Sequence, residues 1–170
     1  MRSILIGNLI SAAASVFLGL SCCVNDRRRA YFYQVLESAL LVVSSVFFGA
    51  WVRLITQALA VERNLLVMKN RFTGRMTVLF SILAVGIGLA VNTEGLLGLM
   101  PIAATVQLTL CNYYCTSIRA TKLGFLANVV LWGVYSFWIL DFASGAAQVV
   151  IGVISLVSLR KLARRETTAA

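Results

Sequence analysis

The chain has 170 residues, of which 60% are hydrophobic and 12% are charged, and its mean hydropathy is +0.90. Soluble domains are about 45–50% apolar and about 25% charged, so this composition excludes an ordinary soluble globular protein and favours a chain that crosses a membrane several times. Fifteen Lys and Arg against six Asp and Glu give a net charge of +9, and His is absent.

The basic residues fall in short clusters between apolar runs, which is the positive-inside pattern of membrane proteins and not the basic patch of a nucleic-acid-binding protein. Without His the chain has no imidazole to serve as a metal ligand or as a general base. It also has no Gly-rich phosphate loop. We therefore expect no enzyme activity, no catalytic residue, no metal, no cofactor and no nucleic-acid partner.

Seven apolar runs follow one another with short polar breaks, and a helix needs about 20 apolar residues to cross a bilayer. In chain order they are Ile4–Val24, Tyr31–Gly49, Trp51–Met68, Met76–Val91, Leu96–Thr116, Leu123–Leu140 and Ala146–Leu159. They predict seven transmembrane helices and leave no room for a soluble domain. The first run is too long for a signal peptide, and the strongest basic cluster follows it, so we expect it to be retained.

The third run is the weakest, because it contains Arg53, Glu62 and Arg63. If it spans and the N-terminus lies outside, twelve basic residues are cytoplasmic, only Arg2 and Arg53 lie outside, and Arg63 lies in the membrane. If it lies flat, the first basic loop falls on the opposite side from the others. The positive-inside rule therefore favours a spanning third helix, with the N-terminus outside and the C-terminus in the cytoplasm. The twelve are Arg27, Arg28, Arg29, Lys69, Arg71, Arg75, Arg119, Lys122, Arg160, Lys161, Arg164 and Arg165.

A shift of 91 residues aligns the first three runs with the last three without a gap. Identities include Gly7/Gly98, Ala12/Ala103, Arg28/Arg119, Leu40/Leu131, Ser45/Ser136, Gln57/Gln148 and Leu65/Leu156. Because the fourth helix restores the direction of the chain, two such repeats are parallel. The predicted fold is an all-α membrane protein with two parallel three-helix bundles joined by a linker helix. Its parts are residues 1–69, the linker 70–95, residues 96–160 and a basic cytoplasmic tail 161–170.

Several segments resemble the YgjV-type bacterial inner-membrane proteins: Ala60–Leu66 before Lys69, Leu99-Met100-Pro101, and Trp132 with Tyr135-Ser136-Phe137. The resemblance covers nearly the whole chain. It implies the same three-plus-one-plus-three architecture as the SWEET, PQ-loop and PnuC-type transporters, and it suggests transport. The chain departs from those transporters, because Pro101 is its only proline and the paired Trp–Asn sugar site is not recognisable.

Two ionisable residues fall at matching depth in neighbouring antiparallel helices. Glu37 lies six residues into the second run and Arg63 six residues before the end of the third, each about 9 Å from the cytoplasmic boundary. Ionisable groups at such depth mark function by default. We predict a structural ion pair between them, and a contact with a substrate or a proton stays open as the alternative.

Further polar residues occupy matched or nearby positions in the two repeats. Gln57 and Asn64 share a helical face, Gln148 repeats Gln57, and Asn128 takes the place of Glu37. We predict a cavity between the bundles; interhelical hydrogen bonding is the alternative. Its predicted substrate-binding residues are Glu37, Gln57, Asn64, Asn128, Trp132 and Gln148. With Arg63 neutralised by Glu37, this lining favours a neutral or cationic solute over an anion.

Two functions from different classes remain. The first is a carrier for a small polar solute that works by rocking of the two bundles. The second is a non-transporting receptor or assembly module with the same fold. The bilayer is the expected partner in both, and a homo-oligomer is left open.

Overall fold

The computed structural model describes residues 2–24, 26–115 and 118–169, and in this part of the chain it has seven α-helices and no strand. This agrees with the predicted all-α class. The helices are α1 Arg2–Cys23, α2 Arg27–Phe48, α3 Trp51–Met68, α4 Gly74–Ala90, α5 Leu99–Tyr114, α6 Ile118–Trp138 and α7 Phe142–Ala169.

The α3 bounds coincide with the predicted run, and those of the other helices differ from it, with α2 beginning at Arg27 instead of Tyr31. Helix α5 begins at Leu99, because residues 96–98 form a tight turn closed by the hydrogen bond from the Leu99 amide to the Leu96 carbonyl (3.2 Å). Helix α6 begins at Ile118, so that Lys122 lies in its second turn. Helix α7 runs from Phe142 to Ala169, so the predicted basic tail continues the helix. Hydropathy locates only the apolar part of a helix, whereas the backbone hydrogen bonds extend into charged sequence.

Several helix ends have identifiable local causes. The Asp26 carboxylate accepts the amide of Arg29 at 3.0 Å and caps the start of α2. The Thr73 hydroxyl accepts the amide of Met76 at 3.4 Å and caps α4. Each cap pairs an amide that would otherwise have no acceptor in the first turn of the helix.

The α2–α3 and α6–α7 turns have the same backbone geometry at positions 91 residues apart. Gly49 has φ +67° and Leu140 has φ +63°. In each turn the next amide bonds to a serine carbonyl, Ala50 to Ser45 at 3.0 Å and Asp141 to Ser136 at 2.9 Å. Such 6→1 bonds around a left-handed residue end many helices. The two short turns make α2 and α3 antiparallel neighbours, and likewise α6 and α7.

Helix contacts trace a closed ring in the order α1, α2, α3, α5, α6, α7 and back to α1. We call these six helices the helix ring. Helix α4 lies outside it against α3 and α5, where Phe80 and Ala84 pack on Leu59. One end of the ring holds the α2–α3 and α6–α7 turns, and we call it the turn end. The other end carries the basic residues at the start of α2 and in the loop before α4, and we call it the basic end.

Burial is inverted relative to a soluble protein. Arg53, Thr56 and Asp141 are fully buried, whereas Leu9 and Ile82 are 64% and 63% exposed. Apolar side chains outside and polar ones inside are typical of a helix bundle whose solvent is lipid. By length and composition, α1 over Arg2–Ser21 and α2 over Arg28–Phe48 can each cross a membrane, and shorter apolar helices cover Gly74–Ala90 and Phe142–Val157.

Candidate functional site

A cavity of about 240 Å³ lies inside the helix ring. Its lining comes mainly from α2, α3, α5, α6 and α7, with Leu18 from α1. It extends from Arg53 and Ser144 near the turn end to Tyr31 and Asn112 near the basic end. Ten residues of α2 separate its first and last lining positions, which is about 15 Å along the helix axis. Its volume equals about eight water molecules, so it suits a small metabolite.

All six residues that the sequence singled out line this one cavity: Glu37, Gln57, Asn64, Asn128, Trp132 and Gln148. The helical faces bring them together from α2, α3, α6 and α7. Their placement agrees with the predicted cavity, and their contact with a substrate stays a prediction.

The lining contains six pairs of residues that are 91 positions apart. Four of the pairs join one face of α2 to the corresponding face of α6, with lining residues at i, i+3, i+4 and i+7 in each helix. The other two pairs join α3 to α7. The pairs are Gln34/Phe125, Glu37/Asn128, Ser38/Val129, Leu41/Trp132, Arg53/Ser144 and Gln57/Gln148. Chemistry differs within most pairs, so the two halves of the cavity are matched in position but not in charge.

A buried ion pair closes the lining at the turn end. The Arg53 Nη1 lies 2.6 Å from the Asp141 Oδ2, and both side chains are fully buried. The Arg53 Nη2 also donates to the Ser144 hydroxyl at 3.2 Å, and the Ser11 hydroxyl donates to the Asp141 Oδ2 at 2.7 Å. This cluster joins α1 and α3 to the start of α7. Buried charges require such partners, because each one left unpaired costs several kcal/mol of desolvation.

Asp141 has a second role at the start of α7. Its Oδ1 accepts the amide of Ser144 at 3.0 Å, and its carbonyl accepts the amide of Gly145 at 3.0 Å. The carboxylate therefore caps the helix with one oxygen and binds Arg53 with the other. A negative charge at a helix N-terminus also interacts favourably with the helix dipole.

Arg53 corrects the sequence prediction, which counted it among the charges on the outer side. The side chain is fully buried inside the protein and paired with Asp141. Hydropathy cannot distinguish a basic residue at a membrane surface from one that is neutralised inside a bundle. The 91-residue shift is the sequence feature that relates these positions. It aligns Ala50 with Asp141 and Arg53 with Ser144.

Within the described part of the chain the direct ion pair is that of Arg53 with Asp141 and not one of Glu37 with Arg63, so an interaction of the latter two across one water stays a prediction. Arg63 instead bonds neutral oxygens. Its Nη1 donates to the Thr109 hydroxyl at 3.2 Å, and its Nε and Nη2 donate to the Asn64 Oδ1 at 3.4 and 3.3 Å. Equal depth on neighbouring helices therefore brought both groups to the cavity but did not fix their mutual distance.

The amides of the lining differ in how much the protein uses them. The Asn128 Nδ2 donates to the Ala104 carbonyl at 2.7 Å and ties α6 to α5. Asn64 accepts from its neighbour Arg63. Gln57 and Gln148, in contrast, make no side-chain hydrogen bond to another described residue and face the cavity. Gln34 and Asn112 also line the cavity without such a bond, so four amides of the lining have free hydrogen-bonding capacity for a solute.

Metal chemistry finds no support in the residues that the structure describes. They contain no group of three or more His, Cys, Asp or Glu side chains that could hold a metal ion. Cys111 lines the cavity and Cys115 lies one turn further, and both are free thiols. The side chains of Cys22 and Cys23 lie outside the described residues.

A family model described as Imp-YgjV, bacterial inner membrane protein, matches residues 5–166. This chain belongs to the YgjV family of bacterial inner membrane proteins. The match covers nearly the whole chain, and it agrees with the inverted burial of the helix ring. No curated protein and no solved structure matches the chain significantly.

Proposed function

We propose that this YgjV-family protein carries a small polar solute across the bacterial inner membrane through the cavity of the helix ring. The observation that carries the proposal is the set of six lining pairs 91 residues apart. A cavity shared by two equivalent halves is what alternating access requires, because either half can then move against the other around a fixed site.

The two halves in this proposal are α1–α3 and α5–α7, with α4 as the linker. A shift by 91 residues turns the α1–α2 and α2–α3 contacts into those of α5–α6 and α6–α7, and all four contacts are present. The two remaining ring contacts, α3–α5 and α7–α1, are the interfaces between the halves. The matching left-handed residues Gly49 and Leu140 support the same division.

We further propose that the N-terminus lies outside and the C-terminus in the cytoplasm. The twelve basic residues assigned to the cytoplasm belong to loops and helix ends at the basic end. Because Arg53 is buried and paired, Arg2 is the one basic residue left for the outer side. The resulting asymmetry is stronger than the sequence count suggested, and it favours this orientation.

One observation favours the second function, a non-transporting module. The Arg53–Asp141 ion pair and its serines tie α3 of one half to α7 of the other. A buried pair of this kind resists separation of its partners unless it is disrupted and re-formed. If it does not open, the halves cannot rock, and the cavity serves binding alone.

Uptake by the purified protein in proteoliposomes tests the proposal. Labelled small metabolites of neutral, cationic, anionic and zwitterionic classes are offered to proteoliposomes and to empty liposomes. Saturable uptake of one class that exceeds the empty liposomes supports a carrier. Absence of uptake for all classes, by protein that remains folded, favours the module.

A further inference from the structure

The charged groups around the cavity are its most specific chemical feature. Among the described lining residues three have carboxyl or guanidinium side chains: Glu37, Arg53 and Arg63. The Asp141 carboxylate neutralises Arg53 at 2.6 Å. One acid and one base, Glu37 and Arg63, therefore remain to interact with the contents of the cavity.

These two groups face the same space without contacting each other. No ion pair joins them, although each guanidinium of the lining acts electrostatically on the Glu37 carboxylate over a longer distance. In the described part of the chain the Arg63 guanidinium donates to the neutral oxygens of Asn64 and Thr109, and a guanidinium carries five N–H donors. Each group is thus able to bind an opposite charge on a solute.

We propose that the cavity binds a small zwitterion, a solute of the α-amino-acid type, with its carboxylate on Arg63 and its ammonium group on Glu37. This inference names the substrate class of the proposed carrier site. Its test by uptake rests on the proposed function. Arginine suits the carboxylate because its planar donors match the two oxygens.

Overall charge separates this class from the others. With Arg53 paired to Asp141, the remaining formal charges of the lining, Glu37 and Arg63, sum to zero. A zwitterion keeps that sum at zero and supplies a partner for each charge. A simple anion or cation adds one uncompensated charge to a site of low dielectric, where an unpaired ion is costly. A neutral polar solute leaves both protein charges without an ionic partner.

The remaining lining suits the rest of such a molecule. Gln57 and Gln148 offer free amides, and Leu41, Phe125 and Trp132 offer apolar and aromatic surface. The volume of about 240 Å³ is below the roughly 300–1,000 Å³ of pockets that hold drug-sized ligands. A single amino acid, and not a peptide, is the size that fits.

Matched analogues test the inference. Uptake of a labelled neutral L-α-amino acid is measured in proteoliposomes containing the full-length protein. Three unlabelled competitors are compared: the same amino acid (the parent), its α-amide and its desamino acid. The amide lacks the carboxylate, and the desamino acid lacks the ammonium group. We expect the parent to compete at least about tenfold better than either analogue, because each analogue loses one charge-assisted hydrogen bond in a buried site.

Two charge-removing variants assign the charges. Arg63→Gln is expected to let the amide compete as well as the parent, and Glu37→Gln is expected to do the same for the desamino acid. Glu62→Gln is the matched control, since Glu62 is exposed, adjoins Arg63 in the chain and does not line the cavity. It should leave both ratios unchanged. A purely structural role of Glu37 or Arg63 would lower uptake without changing these ratios.

Thermal stabilisation of the detergent-purified protein by the same three compounds provides a readout that does not need transport, and it decides the question if a variant fails to fold. Stabilisation by the parent and by neither analogue supports the inference. If no uptake accompanies it, the inference stands and the carrier proposal is contradicted. Uptake of another solute class with no preference for the zwitterion overturns the inference and leaves the carrier standing. The inference is overturned if no amino acid stabilises the protein and none is taken up.

Discussion

Arg53 donates a hydrogen bond to Ser144, the residue that lies 91 positions further along the chain, at 3.2 Å. Arg53 lies near the start of α3 and Ser144 near the start of α7. The adjacent Arg53–Asp141 ion pair joins the same two helix starts.

Removal of one member of this ion pair should strongly destabilise the protein. We expect Arg53→Gln or Asp141→Asn each to lower the free energy of unfolding by about 3–5 kcal/mol, since either change leaves a buried charge without its partner. The amide oxygen introduced by Asp141→Asn could still cap α7, so the cap does not account for the loss. Denaturant or thermal unfolding in detergent measures the effect.

The double variant and a serine variant control this experiment. Arg53→Gln combined with Asp141→Asn should lose less than the sum of the two single changes, because no charge is left alone. Ser144→Ala, which removes only the 3.2 Å hydrogen bond, should cost about 1 kcal/mol. Additive losses in the double variant would contradict a direct coupling between Arg53 and Asp141.

The left-handed turn at Gly49 should not tolerate a Cβ. We expect Gly49→Ala to destabilise the protein by about 1 kcal/mol, because φ is +67° and L-residues are disfavoured in that region. A Cβ at position 49 would meet no other atom within 4 Å, so the cost is one of backbone conformation. The midpoint of thermal unfolding in detergent reports it.

Gly19→Ala is the matched control for the turn. Gly19 lies within α1, and a Cβ there also meets nothing within 4 Å. Alanine in a helix is more favourable than glycine by about 0.5–1 kcal/mol, so this change should be neutral or stabilising. Equal effects of the two substitutions would contradict the argument from φ.

Gln57 and Gln148 should matter for transport more than for stability. We expect Gln57→Ala and Gln148→Ala each to reduce solute uptake several-fold or more, since a lost hydrogen bond of about 1 kcal/mol changes affinity about fivefold. Their stability should change little, because neither side chain bonds to another described residue. Uptake by proteoliposomes and thermal unfolding are measured on the same preparations.

Gln107→Ala supplies the opposite pattern. The Gln107 Nε2 donates to the Gly124 carbonyl at 2.8 Å and joins α5 to α6, outside the cavity lining. Its loss should lower stability and leave the uptake per folded molecule unchanged. Asn64→Ala and Asn128→Ala fall between the two cases, since both residues line the cavity and also bond to the protein. Wild-type uptake in all four cavity variants would remove these residues from the site.

Topology can be tested independently of transport. Reporter fusions at Asn70, in the α3–α4 loop, and at Glu94, in the α4–α5 loop, should report opposite sides of the membrane. We expect Asn70 in the cytoplasm and Glu94 outside, because the basic residues around Asn70 resist translocation. Cytoplasmic signals from both positions would mean that α4 does not span.

Much of the cavity could be predicted from the sequence, for a physical reason. Polar residues are costly in lipid, so a helical face that carries Gln57 and Asn64 must turn inward. The helical period then decides which other residues share that face. The same reasoning, applied at the 91-residue shift, placed Asn128 and Gln148 at one cavity with Glu37.

The partners of the charged groups could not be predicted in the same way. Equal depth in neighbouring helices favoured Glu37 with Arg63, yet the guanidinium of Arg63 turns to Thr109 on α5. An Arg side chain is long enough to choose among several acceptors, and helix rotation decides which of them it meets. Asp141 falls in the short break between two apolar runs, although it is fully buried.

Hydropathy and the period along single helices were enough to predict the helical class and the inward-facing polar surface, and short motifs carried the family resemblance, because each of these is a local property of the chain. The contacts of α3 with α5 and of α7 with α1, which close the ring around one cavity, became visible only in the folded molecule. Closure depends on how side chains of distant segments fit, and Arg53 with Asp141, 88 positions apart, is such a fit. No local pattern encodes a contact of that kind, since its energy arises only when both helices have already packed.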